Sequence, residues 1–235
     1  MAHFLLCIMM LLLPVDGFSA ENFFVTKNLA LSKRSGGAAY SVKVDFPLQG
    51  NGKAMGEVKK WICEHLCEYD SMPEHPQSLD EDGFRQLLED CCELYLENNG
   101  DGCKETMEIY RSYEDEEVVT YEMQFRSYDK PDGDAWRDED CVSVSKADGH
   151  RIQANEIFRC SEDKIKELMW EWRGDLPVED MSPKDLIVGN VAFIDGWILV
   201  TGPANGYTGA IYKIRYQAAE PFLVHPKRGD YYDGM

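Results

Sequence analysis

Residues 189–224 read GNVAFIDGWILVTGPANGYTGAIYKIRYQAAEPFLV, and the period of that stretch decides the fold class. Val191 and Phe193, then Ile198 and Val200, flank Asp195-Gly196, a pair that favours a two-residue hairpin turn with both residues at positive φ. The run Gly202-Pro203-Ala204-Asn205-Gly206 should interrupt the ladder, because proline lacks a donor and glycine permits left-handed backbone. Residues 211–216 then alternate with period 2, as a strand with one buried face does. Pro221 closes the regular part, so the segment is expected to be an antiparallel meander.

Working outward, period-2 patterning recurs. Tyr40 to Phe46 alternates and stops at Pro47, Thr106 to Tyr113 and Val118 to Tyr128 suit long strands, and Cys141 to Ser145 resumes the pattern. Between them the spacing changes to 3 and 4. Val58, Trp61, Ile62, His65, Leu66 and Tyr69 form one stripe of a helix from about Ala54 to Tyr69. Phe84, Leu87, Leu88, Cys91, Leu94 and Tyr95 form another, capped by Asp80 or Asp82. A third runs from Glu162 to Arg173 after Ser161, with Ile165, Leu168, Met169 and Trp172 inward, and ends at Gly174. Residues 129–140 read as a polar loop. The expectation is an α+β domain, an antiparallel sheet with helices packed on one side.

The chain has 235 residues, with 43 Asp and Glu against 24 Lys and Arg, a formal net charge of −19. Such a field disfavours nucleic acid and anionic membrane and attracts basic partners. Residues 4–13, FLLCIMMLLL, are apolar for the length of a signal-peptide core and too short to span a bilayer. A signal peptide over 1–20 and one domain over 21–235, with its core at 40–224, follow as expectations. The protein is expected to be exported, periplasmic or extracellular, without a membrane span. In such an oxidising setting Cys63, Cys67, Cys91, Cys92, Cys103, Cys141 and Cys160 become disulfide candidates. Seven is odd, so one is left over. Cys63 and Cys67, one turn apart, suit partners on the next helix better than each other, and their spacing fits no standard zinc site.

Motifs for chemistry are sparse. Glu97-x-Asn99-x-Asp101-Gly102-x5-Glu108 meets part of a calcium-loop template, with Glu at the first position and Lys104 where an apolar residue belongs. Nucleophile elbow and phosphate-loop patterns are absent from the sequence. His65 on an apolar stripe reads as a packing residue. No catalytic residue, metal site or cofactor is assigned. Asp129, Asp132, Asp134, Asp138, Glu139 and Asp140 cluster around Trp136. An aromatic anchor ringed by carboxylates suits a basic protein partner, with Asn205 and Tyr207 of the terminal meander as further contact candidates.

Three pieces carry a resemblance: Val42-x-Val44-x-Phe46-Pro47; Asp148-Gly149-x-x-Ile152-x-x-Asn155-Glu156-Ile157-Phe158; and Tyr207-x-Gly209-Ala210 followed by Pro221-Phe222-Leu223. The span 40–224 resembles an exported domain family of unknown function, found in the lysozyme-sensing part of the anti-sigma factor RsiV and beside the peptidoglycan deacetylase PdaC. The resemblance implies a binding module for a cationic protein, lysozyme being the example, or for a cell-wall component. The chain departs from the family at 133–137, where Gly133-Asp134-Ala135-Trp136-Arg137 stands in place of a Gly-Gly-Ala-His-Gly-like loop. The alternatives are a wall-modifying hydrolase, or a hydrolase-accessory domain, using the acidic loop, and a structural envelope protein.

Overall fold

The structure, a computed structural model, describes residues 23–67, 72–128, 133 and 135–224. The expected signal peptide, Tyr69, Asp129, Asp132 and Asp134 lie outside them. Eight strands are joined in one sheet: β1 (Val25–Ser35), β2 (Ala38–Gln49), β3 (Lys104–Glu114), β4 (Val118–Tyr128), β5 (Trp136–Ser145), β6 (Val191–Ile194), β7 (Trp197–Ala204) and β8 (Tyr207–Arg215). Their order is β1-β2-β3-β4-β5-β8-β7-β6. The helices are α1 (Gly52–Leu66), α2 (Glu81–Asn98), the single turn α3 (Ala154–Ile157), α4 (Glu162–Glu171) and a last turn α5 (Tyr216–Ala219).

The sheet is mixed, which corrects the antiparallel expectation. β2 and β3 run parallel, as do β5 and β8. In both cases a long excursion separates the two strands in sequence, α1 and α2 in the first and α3, α4 and the β6–β7 hairpin in the second. Such a crossover can return the chain in the direction it left, which no tight hairpin can do. Hairpins make the remaining neighbours antiparallel, including the terminal meander.

The helix ends follow their capping residues. Asn51 Oδ1 accepts from the N–H groups of Lys53 and Ala54, starting α1 at Gly52. Asp80 accepts from Gly83 N, 2.8 Å, at the head of α2. Two turns differ from the sequence reading. Only Gly196 of the β6–β7 turn has positive φ, 70°, so Asp195-Gly196 is not the expected turn with both residues left-handed. Pro203 does not end β7 either; a register shift between Gly202 and Ala204 absorbs it and pairing continues to Ala204–Tyr207. The partial calcium loop is a tight turn leading into β3, where Glu108 pairs with Lys43 at 2.6 Å.

The apolar residues fall into layers. α1 and α2 cover one face of β1–β5, burying Trp61, Ile62, Phe84 and Leu88 against Val44, Phe46, Ile109 and Tyr121. The Phe46 and Phe84 rings stack at 4.3 Å, and each such side chain contributes about 1.5–3 kcal/mol on burial. The other face of β4 and β5 is also covered, by β6–β8, through a small core of Cys141, Ala192, Leu199 and Ile211. α4 then packs Ile165, Leu168 and Met169 on the outer face of β6–β8, against Ile198, Val200, Tyr212 and Ile214. Helices therefore lie on two faces, not one. Period 2 along β7 and β8 supports both contacts, alternate residues going to opposite sides. Among the described residues no helix is long and apolar enough to cross a membrane.

The two halves meet through a buried ring of hydrogen bonds. Thr120 Oγ1 donates to the Phe193 carbonyl at 2.7 Å, and Phe193 N donates to Ser143 Oγ at 2.9 Å. With the Thr120 proton so used, the Ser143 hydroxyl is the donor across the 2.6 Å contact between them. Next door, the buried Tyr121 hydroxyl has no hydrogen-bond partner among the described residues. These neighbours should respond oppositely. Thr120→Val strands the Phe193 carbonyl and the Ser143 hydroxyl and is expected to cost about 1–3 kcal/mol in urea denaturation. Tyr121→Phe is expected to leave stability within about 0.5 kcal/mol of wild type, or above it.

Candidate functional site

The residues singled out in sequence converge where β5 meets β8, a contact made by a single parallel bridge, Arg137 to Tyr207. Residues 136–140 are not loop, as expected, but the first half of β5. Their alternation sorts them. Asp140 reaches His65 of α1, while Glu139 and Cys141 face β8 and β7, as the neighbouring contacts show.

The acidic residues on this strand have internal partners. Asp140 Oδ2 lies 3.1 Å from His65 Nε2 on α1, and both its oxygens accept from Asn190 Nδ2 at 2.9 Å. Its Oδ1 also accepts from Cys141 N. The His65 ring meets Trp61 edge-on at 4.5 Å. The histidine thus packs on Trp61, as its stripe implied, and also contacts the Asp140 carboxylate, which the stripe did not reveal. Glu139 Oε2 accepts from Ile211 N at 3.2 Å and joins β5 to β8. Both carboxylates brace the fold through these partners.

Asp138 differs. Burial pushes its carboxyl above the usual carboxylate range, the nearby Asp140 adds to the shift, and His65 with the N–H groups of Gly209 and Glu139 opposes it. Gly209 belongs here for steric reasons. A Cβ at that position would lie 2.8 Å from Asp138 Oδ1 and 2.9 Å from the Glu139 carbonyl.

The surface above these groups is aromatic and basic at its centre. Trp136 is 54% exposed, and its indole N–H donates to Thr208 Oγ1 at 2.6 Å. The Arg137 guanidinium donates to Tyr207 Oη at 2.9 Å and lies 5.4 Å from that ring's centroid. Asn205, exposed in the β7–β8 turn, is held by its N–H donating to the Pro177 carbonyl at 2.8 Å. Trp136 and Tyr207 therefore lie where β5 meets β8, and Asn205 lies in the turn that leads into β8. Arg137 and Thr208 complete the patch; in sequence Arg137 was only the residue after a tryptophan, and only the bridge to β8 reveals its ring partner.

A second concavity lies between the ends of α1 and α2 and the strands beneath, with a volume of about 280 Å³. Tyr40, His65, Cys67, Cys91, Tyr95 and Glu105 are among its lining residues. Among the described residues no three His, Cys, Asp or Glu side chains are grouped so as to hold a metal ion.

The fold is shared with two solved structures. A member of the DUF3298 family from Bacteroides fragilis NCTC 9343 superposes with a TM-score of 0.64 at 9% identity, covering 88% of this chain and 96% of that one. A DUF3298 family protein from Pseudomonas aeruginosa PAO1 gives 0.53 at 10% identity, covering 86% and 95%. At these identities the likeness is one of fold, a domain of unknown function. No protein-family model and no curated protein matches the chain.

Asp138 gives a pH prediction. A carboxyl whose folded pKa is raised favours the native state most below its unfolded value, and that contribution fades as pH rises through the folded pKa. At neutral pH the buried charge weakens the fold. Asp138→Asn is expected to raise the urea midpoint at pH 7, with the gain closing as pH falls to about 4. Equal midpoints at pH 7 and pH 4 would contradict the assignment.

Proposed function

We propose that this chain is an exported, non-catalytic binding domain whose ligand is a cationic protein, a c-type lysozyme being the first candidate, docked on the patch of Trp136, Arg137, Asn205, Tyr207 and Thr208. The observation that carries the reading is the exposed Trp136 beside a paired Arg137 and Tyr207. Trp, Tyr and Arg are the side chains that dominate protein-binding hot spots, because they offer large rigid area with a polar tip. The indole and guanidinium are already held by Thr208 and Tyr207, so less rotamer freedom is lost on docking.

The net charge of −19 supplies long-range attraction for a basic partner. Arg137 at the centre of the patch then discriminates among such partners, since a facing lysine or arginine there is repelled. Export rests on the apolar segment at 4–13 and the cysteine content. The link to the lysozyme-sensing and deacetylase-associated domains rests on the three motif pieces and agrees with a fold of unknown function.

Calorimetric titration of the chain with hen-type lysozyme tests the proposal. A complex of micromolar or tighter affinity is expected, weakening as ionic strength rises to about 0.15 M. Trp136→Ala should weaken it at least about tenfold. No heat at low salt, or an affinity indifferent to Trp136→Ala, would sink the assignment. Release of peptidoglycan fragments by the chain, lost in Asp138→Asn, would point to the hydrolase reading instead.

A further inference from the structure

Seven cysteines lie among the described residues, and one pair is set apart by geometry. Cys67 caps the C-terminus of α1, its N–H donating to the Cys63 carbonyl at 3.2 Å. Cys91 stands on the facing side of α2, and the two sulfurs are 2.9 Å apart. Small rotations about χ1 are enough to reach a bond of about 2.05 Å. Both side chains line the 280 Å³ cavity, so a small disulfide reagent has a route to them.

The chemistry of the pair is asymmetric. The contact with Cys67, in which either sulfur can be the donor, holds the Cys91 thiol below the usual range against the effect of burial. The same contact pushes Cys67 up. Burial pushes Cys63 up to about 12 and also raises Cys92, Cys141 and Cys160. The cavity holds a further oddity in Tyr40, 2% exposed, whose hydroxyl has no hydrogen-bond partner among the described residues. Its ring lies 5.4 Å from that of Tyr95, on the helix that carries Cys91.

We propose that Cys67 and Cys91 are a disulfide-forming pair and that the bond locks the C-terminal halves of α1 and α2 over the cavity. The oxidant is a small disulfide. One of the two cysteines, as its thiolate, attacks one sulfur of the reagent, whose other half leaves as a thiolate and takes a proton from water. The second cysteine then loses its proton to solvent and attacks the first cysteine's sulfur, expelling the remaining half, which leaves as a thiolate and takes up a proton. Two protein thiols are oxidised and one reagent disulfide is reduced to two thiols. The lock acts on α1, whose His65 reaches Asp140, so the redox state of the pair sets how firmly the helix layer is held on β5. This inference stands apart from the choice of partner protein.

The test is to equilibrate the purified chain with oxidised glutathione, trap remaining thiols with an alkylating agent, and identify linked peptides by mass spectrometry. The expected product joins the Cys67 peptide to the Cys91 peptide. It should persist in Cys63→Ser and in Cys92→Ser, and disappear in Cys91→Ser. Reduction of the wild-type chain should lower Tm by roughly 5–10 °C, as a loop of this size implies. The wild-type mapping needs no variant, so misfolding of a serine variant does not obscure the answer. Alkylation of both thiols after oxidation, linkage of either to another cysteine, or a crosslink that leaves Tm unchanged would each overturn the proposal.

Discussion

The arrangement depends on the buried ring formed by Thr120, Ser143 and the backbone of Phe193. β4 and β5 are covered on both faces, on one by apolar helices and on the other by a second piece of sheet. A sheet can press its apolar side chains on another at many offsets, because the hydrophobic effect has no direction. Hydrogen bonds do, and in this low-dielectric layer an unmade one is expensive. Two hydroxyls that accept and donate to one residue's N–H and C=O leave β6 one position over β4 and β5. The helix α4, the β7–β8 turn and the patch at its edge then take their places from that strand.

A second set of polar contacts fixes the site end of β5. The backbone ladder there reduces to one bridge to β8, so side chains take over the work of joining the strands. Glu139 reaches Ile211, Asp140 gathers His65 and Asn190, and Gly209 leaves room for Asp138. Asp138, Glu139 and Asp140 thus all have partners within the fold. Where side chains replace a ladder, the strands can diverge while remaining joined, and Trp136 and Arg137 stand at the bridge itself.

Much of this was legible in the sequence, and the losses have physical causes. Strand positions in β2, β3, β4 and β8, and the capped starts of α2 and α4, follow from period and capping chemistry, which act within a few residues. Residues 136–140 misled because Asp, Glu and Arg are poor strand formers on propensity alone. Tertiary partners override that preference once each carboxylate has a hydrogen-bond donor. His65 was legible as packing through its helical spacing, but Asp140 lies 75 positions away, and no local pattern reports such a pairing. The cysteines show the same division: helical spacing placed Cys63 and Cys67 opposite the next helix, yet the choice of Cys91 over Cys92 depends on the rotation of α2 about its axis.

By itself, the sequence determined most of the strand and helix segments, their apolar faces and the net acidic charge. These are consequences of short-range sterics, of periodicity and of composition. The tertiary structure alone decided the parallel pairings, the second cover over β4 and β5, and the internal partners of Asp138, Glu139 and Asp140. Strand direction and layer order are set by how long connections return to the sheet, and hydrogen bonds between distant residues exist only after that return. Period and composition carry no record of either.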